Sequence, residues 1–300
     1  LNANSRLRRM WADKVLYVML MPAAAFFAIF HVWPILGMRL AFYEYRILGD
    51  HVYVGFKYFK ELFGTPIFSQ VLANTLIISA MKMFLIFPLP ILFALMLNEF
   101  VNGKFRKAVQ IISYLPHFLS WVVIAGIWFE FLSKSNGIVN DVIRLFGFPA
   151  HDFLTDKAAI RWVLVASEAW RNIGWDSIIF LAAILGINKS LYEAAYVDGA
   201  NRWQIVTRII LPHLYVPMVT VFILNVGFIM NAGLDQVLNF TNASVNSKVD
   251  IIDTYVYRVG LINGQYSFAT AANLFKSVIG VILVLSTHFL SKKLTSKGAW

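Results

Sequence analysis

Six long apolar segments recur along the 300 residues, and they fix most of what this chain can become. Residues 15–38 and 209–234 carry no Asp, Glu, Lys or Arg. Residues 71–97 carry only Lys82, 108–132 only Glu130, and 271–291 only Lys276, while 162–187 carries Glu168, Arg171 and Asp176. Each is close to the ~20 residues a helix needs to cross a bilayer core. The runs are unbroken and do not alternate with period two, which selects helices over a β-barrel. Charged residues make up 14% of the chain, against about 25% in soluble domains, so the apolar excess needs lipid as its solvent. The expected fold is a single all-α integral membrane domain over residues 1–300, with six transmembrane helices. The first segment is too long for a signal-peptide core and lacks a convincing cleavage site. Residue 1 is leucine, so the natural start is expected upstream.

Lysine and arginine set the orientation. The N-terminus, the loop near 98–107, the loop 188–212 and the C-terminus together hold thirteen Lys and Arg against four Asp and Glu, a net of +9. Arg6, Arg8, Arg9, Lys292, Lys293 and Lys297 are among them. The opposite segments hold nine of each, a net of 0. By the positive-inside rule the first set is cytoplasmic, so both termini and the loop between spans 4 and 5 face the cytoplasm of a multi-pass inner-membrane protein. The basic excess is then topogenic charge beside anionic lipid, and no nucleic-acid partner is expected.

Several chemistries are missing from the sequence. It has no cysteine, hence no disulfide framework or thiolate metal site. It has no G-x-x-x-x-G-K-[ST] loop, no H-E-x-x-H and no G-x-S-x-G elbow. The six histidines are scattered without ligand spacing. Catalytic residues, bound metal and bound cofactor are therefore not expected in this chain.

One polar stretch interrupts the apolar pattern. Leu191–Val197 is built from good helix formers, and Gly199 stands where a helix end favours the left-handed conformation. Asn201 with Gln204 three residues on reads as a capping box, and Pro212 marks entry to the next segment. The expectation is helix, glycine turn, helix, over 188–212, either as an ordinary connector or as a docking element.

The spacing Glu193-Ala194-Ala195, three residues, Gly199, nine residues, Ile209-x-Leu211-Pro212 resembles the signature of ABC-importer permeases. Further stretches resemble the six-span branch for polysaccharides and complex oligosaccharides. These are Asn74-Thr75-Leu76, Ala94–Glu99, Gln110–Trp121, Ile252–Tyr257 and Phe275-Lys276-Ser277. Within that branch the chain is most similar to permease subunits of bacterial alginate importers. The resemblance implies a type I importer in which Glu193, Ala194, Ala195, Asp198, Gly199, Ile209, Leu211 and Pro212 couple the spans to an ATPase. It implies as partners a second permease, two ATPase subunits that hold ATP and Mg, an extracytoplasmic binding protein and a saccharide substrate. A secondary transporter would show acids at broken helices in matching repeats. A membrane enzyme acting on lipid-linked sugar would show clustered acids or histidines at one face.

Ionisable residues inside a membrane are functional candidates by default. Glu168 and Arg171, three apart, are expected to pair on one helix face. Lys82 has no partner nearby in sequence, so it either faces a cavity for an anionic substrate or snorkels. Asn225 and Asn231 in the fifth span either line a sugar path or pack helices, and similarity to maltose-type permeases brings Asn231 near the sugar site. Pro88 and Pro90 are expected to bend the second span.

Overall fold

The computed structural model describes residues 13–100 and 102–295. Arg6, Arg8, Arg9 and Lys297, counted above for orientation, lie outside the described residues. In chain order the elements are α1 (Lys14–Phe42), β1 (Tyr43–Glu44), β2 (Val52–Tyr53), α2 (Lys57–Gly64), α3 (Pro66–Glu99), α4 (Gly103–Phe118), α5 (Trp121–Leu132), α6 (Ile138–Leu145), α7 (Ile160–Leu185), α8 (Lys189–Val197), α9 (Arg202–Gly227), α10 (Leu234–Phe240), α11 (Asn246–Val249), α12 (Ile252–Val256) and α13 (Tyr266–Thr295). By length and composition α1, α3, α9 and the Tyr266–Phe289 part of α13 can each cross a membrane, and the bent pairs α4–α5 and α7–α8 raise the number to six. The all-helical membrane fold expected from the apolar runs is therefore the one observed.

The chain divides into two compact units, residues 1–64 with 258–274, and residues 65–257 with 275–300. In the first unit, no residue of Lys14–Phe27 is buried within the chain, which suits a helix whose packing partners are lipid or another protein. A two-residue antiparallel ladder pairs Tyr43 with Tyr53 and Glu44 with Val52. Ala41 and Leu62 are fully buried, and the Tyr45 amide donates to Ser267 Oγ at 2.9 Å.

The second unit is organised around α7. One core cluster joins Ile78 of α3, Ala125 and Leu132 of α5, Ile160 and Leu164 of α7 and Val237 and Phe240 of α10. A second joins Ile91, Ala94 and Leu97 of α3 with Phe180, Leu181 and Ile184 of α7 and Ile205, Ile210 and Leu214 of α9. The stretches Asn74-Thr75 and Ile252–Tyr257, far apart in sequence, meet here. Asn74 donates to the carbonyls of Ser247 and Asp250 at 3.1 and 3.0 Å, and Thr75 Oγ1 accepts from the Ile252 amide at 2.9 Å. Lys276 of α13 pairs with Asp253 of α12, so a lysine placed inside the sixth span is neutralised by a residue from outside that span.

Two expectations about the spans change. The segment 108–132 is two helices, α4 and α5, meeting at 109°. Pro116 lacks an N–H to continue α4, and Ser120 caps α5 by accepting from the Val123 amide. The segment 209–234 is not one helix either. Helix α9 starts at Arg202 and ends at Gly227, with residues 228–233 outside helix. Pro212 stands, as expected, at the entry to the regular α-helical stretch Leu211–Gly227 of α9. The helix widens to a π turn over Val206–Ile210 just before it, which accommodates the ring and the missing donor. In α3, regular helix is interrupted at Phe87, where Pro88 and Pro90 remove two donors, but Pro66–Glu99 continues as one span.

Candidate functional site

The polar stretch 188–212 folds as its local chemistry dictates. The Asn188 side chain caps α8 by accepting from the Ser190 amide at 3.0 Å. At the other end the Gly199 amide donates to Tyr196 O at 3.1 Å, the Ala200 amide donates to Ala195 O at 2.9 Å, and Gly199 has φ +76. This is a Schellman motif, whose left-handed residue is almost always glycine. Two residues on, the Asn201 and Gln204 side chains each accept from the other's amide, at 2.9 and 2.8 Å. The two helices form an elbow, and its second arm, α9, runs on unbroken to Gly227.

The elbow has two faces. Tyr192, Ala195, Ala200 and Ile209 pack against the cluster built on α3 and α7, and Leu211 is half-buried. Arg202 lies 3.5 Å from Glu99 on the surface, a pair of small energetic weight. Glu193, Ala194, Asp198, Gly199 and Pro212 are exposed. Beside them three large apolar side chains also face outward: Tyr196, Val197 at 88% exposure and Trp203 at 74%. The motif residues do not include these three; the signal for them was bulky residues on both sides of an Asp-Gly turn in a polar segment, Tyr196 and Val197 before it and Trp203 after.

A cavity of about 640 Å³ lies between α3, α7, α9 and the segment after α9. Lys82, Asn225 and Asn231 all line it, as do Glu168, Asn172, Trp175 and Asp176 of α7. Residues 168, 172 and 176 recur at four-residue spacing and so form one helical stripe. That spacing is visible in the sequence, but only the fold shows which way the stripe faces.

Lys82 neither snorkels nor stands free. Its Nζ donates to Glu168 Oε2 at 3.1 Å, to Ala232 O at 2.7 Å and to Gln236 Oε1. Gln236 is fully buried and donates onward to Leu164 O and Ser167 Oγ. Glu168 Oε1 accepts from Asn172 Nδ2 at 2.6 Å, and Asn172 Oδ1 faces His117 Nδ1 at 3.0 Å. The expected pair of Glu168 with Arg171 is not formed. Arg171 turns to the 109° bend, donating to His117 O at 3.2 Å and stacking 4.9 Å from the Trp121 ring. The His117 ring stacks on Trp175 at 4.5 Å. The reason is geometric: Glu168 meets a cation from α3 that removes both burial costs at once, leaving Arg171 to clasp carbonyl and ring.

The comparisons with known proteins agree with this architecture. The profile of a family described as binding-protein-dependent transport system inner membrane component matches residues 86–296. Protein LplB of Bacillus subtilis (strain 168) is 37% identical over 289 residues, covering 95% of this chain and 91% of that protein. The polygalacturonan/rhamnogalacturonan transport system permease protein YteP of the same organism is 38% identical over 292 residues, covering 96% and 91%. Among solved structures, a chain of a bacterial alginate ABC transporter, in complex with its alginate pentasaccharide-bound periplasmic protein, superposes with a TM-score of 0.89. It is 38% identical and is covered to 98% by 97% of this chain.

Proposed function

The chain belongs to the binding-protein-dependent transport system inner membrane component family, and from that membership we propose that it is the membrane-spanning permease subunit of an ATP-driven oligosaccharide importer. The observation that carries the proposal is the elbow. Its turn is fixed by a Schellman motif and a capping box, its inner face is anchored on α3 and α7, and its outer face presents Tyr196, Val197 and Trp203. Exposed aromatic and aliphatic groups on a rigid turn are the kind of anchor that protein interfaces are built around. A push on the elbow is carried by one continuous helix from Arg202 to Gly227, so a partner that moves the elbow moves a span.

In this scheme two ATPase subunits bind and hydrolyse Mg–ATP, and one of them seats the elbow. A second permease completes the translocation path, and an extracytoplasmic binding protein delivers the saccharide. Closure of the ATPase pair swings the spans between two discrete arrangements. The charge bias puts the elbow and both termini on the cytoplasmic side. The cavity supports a saccharide cargo: carboxamides beside Trp175 and Phe228 supply hydrogen bonds and an apolar face for sugar rings. Relatives named for polygalacturonan/rhamnogalacturonan and for alginate support an oligosaccharide cargo.

Co-purification of the chain with its ATPase tests the proposal. The wild-type protein is expected to hold the ATPase stoichiometrically. Val197→Asp combined with Trp203→Ala is expected to weaken the association by about tenfold or more, since buried anchors each cost over ~1 kcal/mol when lost. Full retention of the ATPase by that variant would overturn it.

A further inference from the structure

Among the described residues, one cation and two acids line the cavity, Lys82, Glu168 and Asp176, and they are not equivalent. An ammonium group has three N–H donors. All three of those on Lys82 are engaged by protein oxygens, from Glu168, Ala232 and Gln236. Glu168 is likewise engaged on both oxygens, by Lys82 and Asn172. Lys82 can reach an incoming anion only by giving up a bond that ties α3 to α7 and α10. Asp176 differs. It lies one turn beyond Asn172 on the same stripe of α7, faces the cavity, and makes no hydrogen bond or ion pair with another described residue. Among the described residues the side chains of Asn225 and Asn231 are also without hydrogen-bond partners.

From this arrangement we propose that Asp176 reads saccharide hydroxyls and that the cavity holds its cargo through hydroxyl groups, not through carboxylates. The inference rests on the saccharide-permease function proposed above. An ionised carboxylate is an acceptor with two oxygens, matched in shape to the two O–H groups of a vicinal diol. Asn225 and Asn231 can both donate and accept, and Trp175, against which the His117 ring stacks, lines the cavity with them. A uronate carboxylate placed in the same space meets no free cation among the described residues of this chain that line the cavity. It also meets the like charge of an ionised Asp176, which repels it. An intramembrane carboxylate without a hydrogen-bond donor is costly, and sugar hydroxyls that donate to it offset that cost at the moment of transport. Lys82 therefore keeps the wall of the cavity in shape and neutralises Glu168, while Asp176 sets the selectivity.

The test uses the complete transporter in lipid nanodiscs without the binding protein, so that only the membrane cavity is assayed. The two probes are an oligogalacturonate and its carboxyl-reduced neutral twin of equal length and linkage, measured by equilibrium dialysis. The wild-type complex is expected to bind the neutral oligomer about tenfold more tightly, a difference one unmatched polar or charged contact can supply. Asp176→Asn, nearly isosteric, is expected to weaken neutral-oligomer binding about tenfold and to abolish the preference. Asp176→Ser serves as a second neutral replacement if the first assembles poorly. Tighter binding of the uronate by wild type, or an unchanged preference in both variants, would sink the inference while leaving the permease function standing. Absence of binding by both oligomers would instead overturn the saccharide cavity itself, and the role of Asp176 with it.

Discussion

Gly174 on α7 lies directly against the backbone of Ser113 on α4: a methyl group at position 174 would sit 2.2 Å from the Ser113 carbonyl oxygen. The contact lies just before the 109° bend, and Arg171, Asn172 and Trp175 close on the same bend through His117 and Trp121. The absence of a side chain at 174 is thus what allows α7 to seat the broken third span.

Gly174→Val is therefore expected to destabilise the protein by at least the ~1–3 kcal/mol typical of overpacking, because the neighbour is backbone and cannot rotate away. The midpoint of thermal unfolding in detergent should fall by several degrees, as should the yield of assembled complex. An unchanged midpoint would mean that the two helices can separate without cost.

Removing Lys82 strands Glu168. Side chains at 13% and 22% exposure hold a pair whose breakage costs about 3–5 kcal/mol when fully buried, and somewhat less at this exposure. Lys82→Met should lower the unfolding midpoint sharply, and adding Glu168→Gln should restore a substantial part of it. A selective loss of uronate transport by the single variant, with stability intact, would return Lys82 to the role of anion handle that its sequence position alone allowed.

Gly199 adopts φ +76, and a side chain there would meet nothing within 4 Å. The effect of substitution is then purely conformational. Gly199→Val should cost about 1–2 kcal/mol at the turn, leaving insertion intact and abolishing substrate-stimulated ATP hydrolysis. Gly199→Asn should retain much of the stimulation, since asparagine tolerates the left-handed region. Equal loss in both variants would point to a steric contact with a partner in place of backbone strain.

Orientation can be checked on a background free of native cysteine. Ser190→Cys on the elbow and Ser244→Cys between α10 and α11 both place a thiol at an exposed position. In intact cells an impermeant thiol reagent should label the second and spare the first. Labelling of position 190 from outside would invert the topology drawn from the charge bias.

What the sequence determined by itself is the part of the protein governed by short-range rules. Apolar runs of helix-crossing length define a membrane fold whatever their partners. The elbow was legible in detail because every bond that shapes it spans five residues or fewer, from Asn188 to Ser190, Ala200 to Ala195 and Asn201 to Gln204. The tertiary structure alone decided the buried ion pairs and the irregular spans. Glu168 has Arg171 within one helical turn, yet its partner is Lys82, 86 positions away. Lys276 finds Asp253 from another element, and the direction of the break after Pro116 is set by α7. The same holds for Asp176, which sequence grouped with its neighbours as one more intramembrane charge. Whether a buried charge is neutralised or left for a ligand depends on which donors and acceptors arrive from other helices. In a low-dielectric interior those long-range partners outweigh any preference encoded between sequence neighbours.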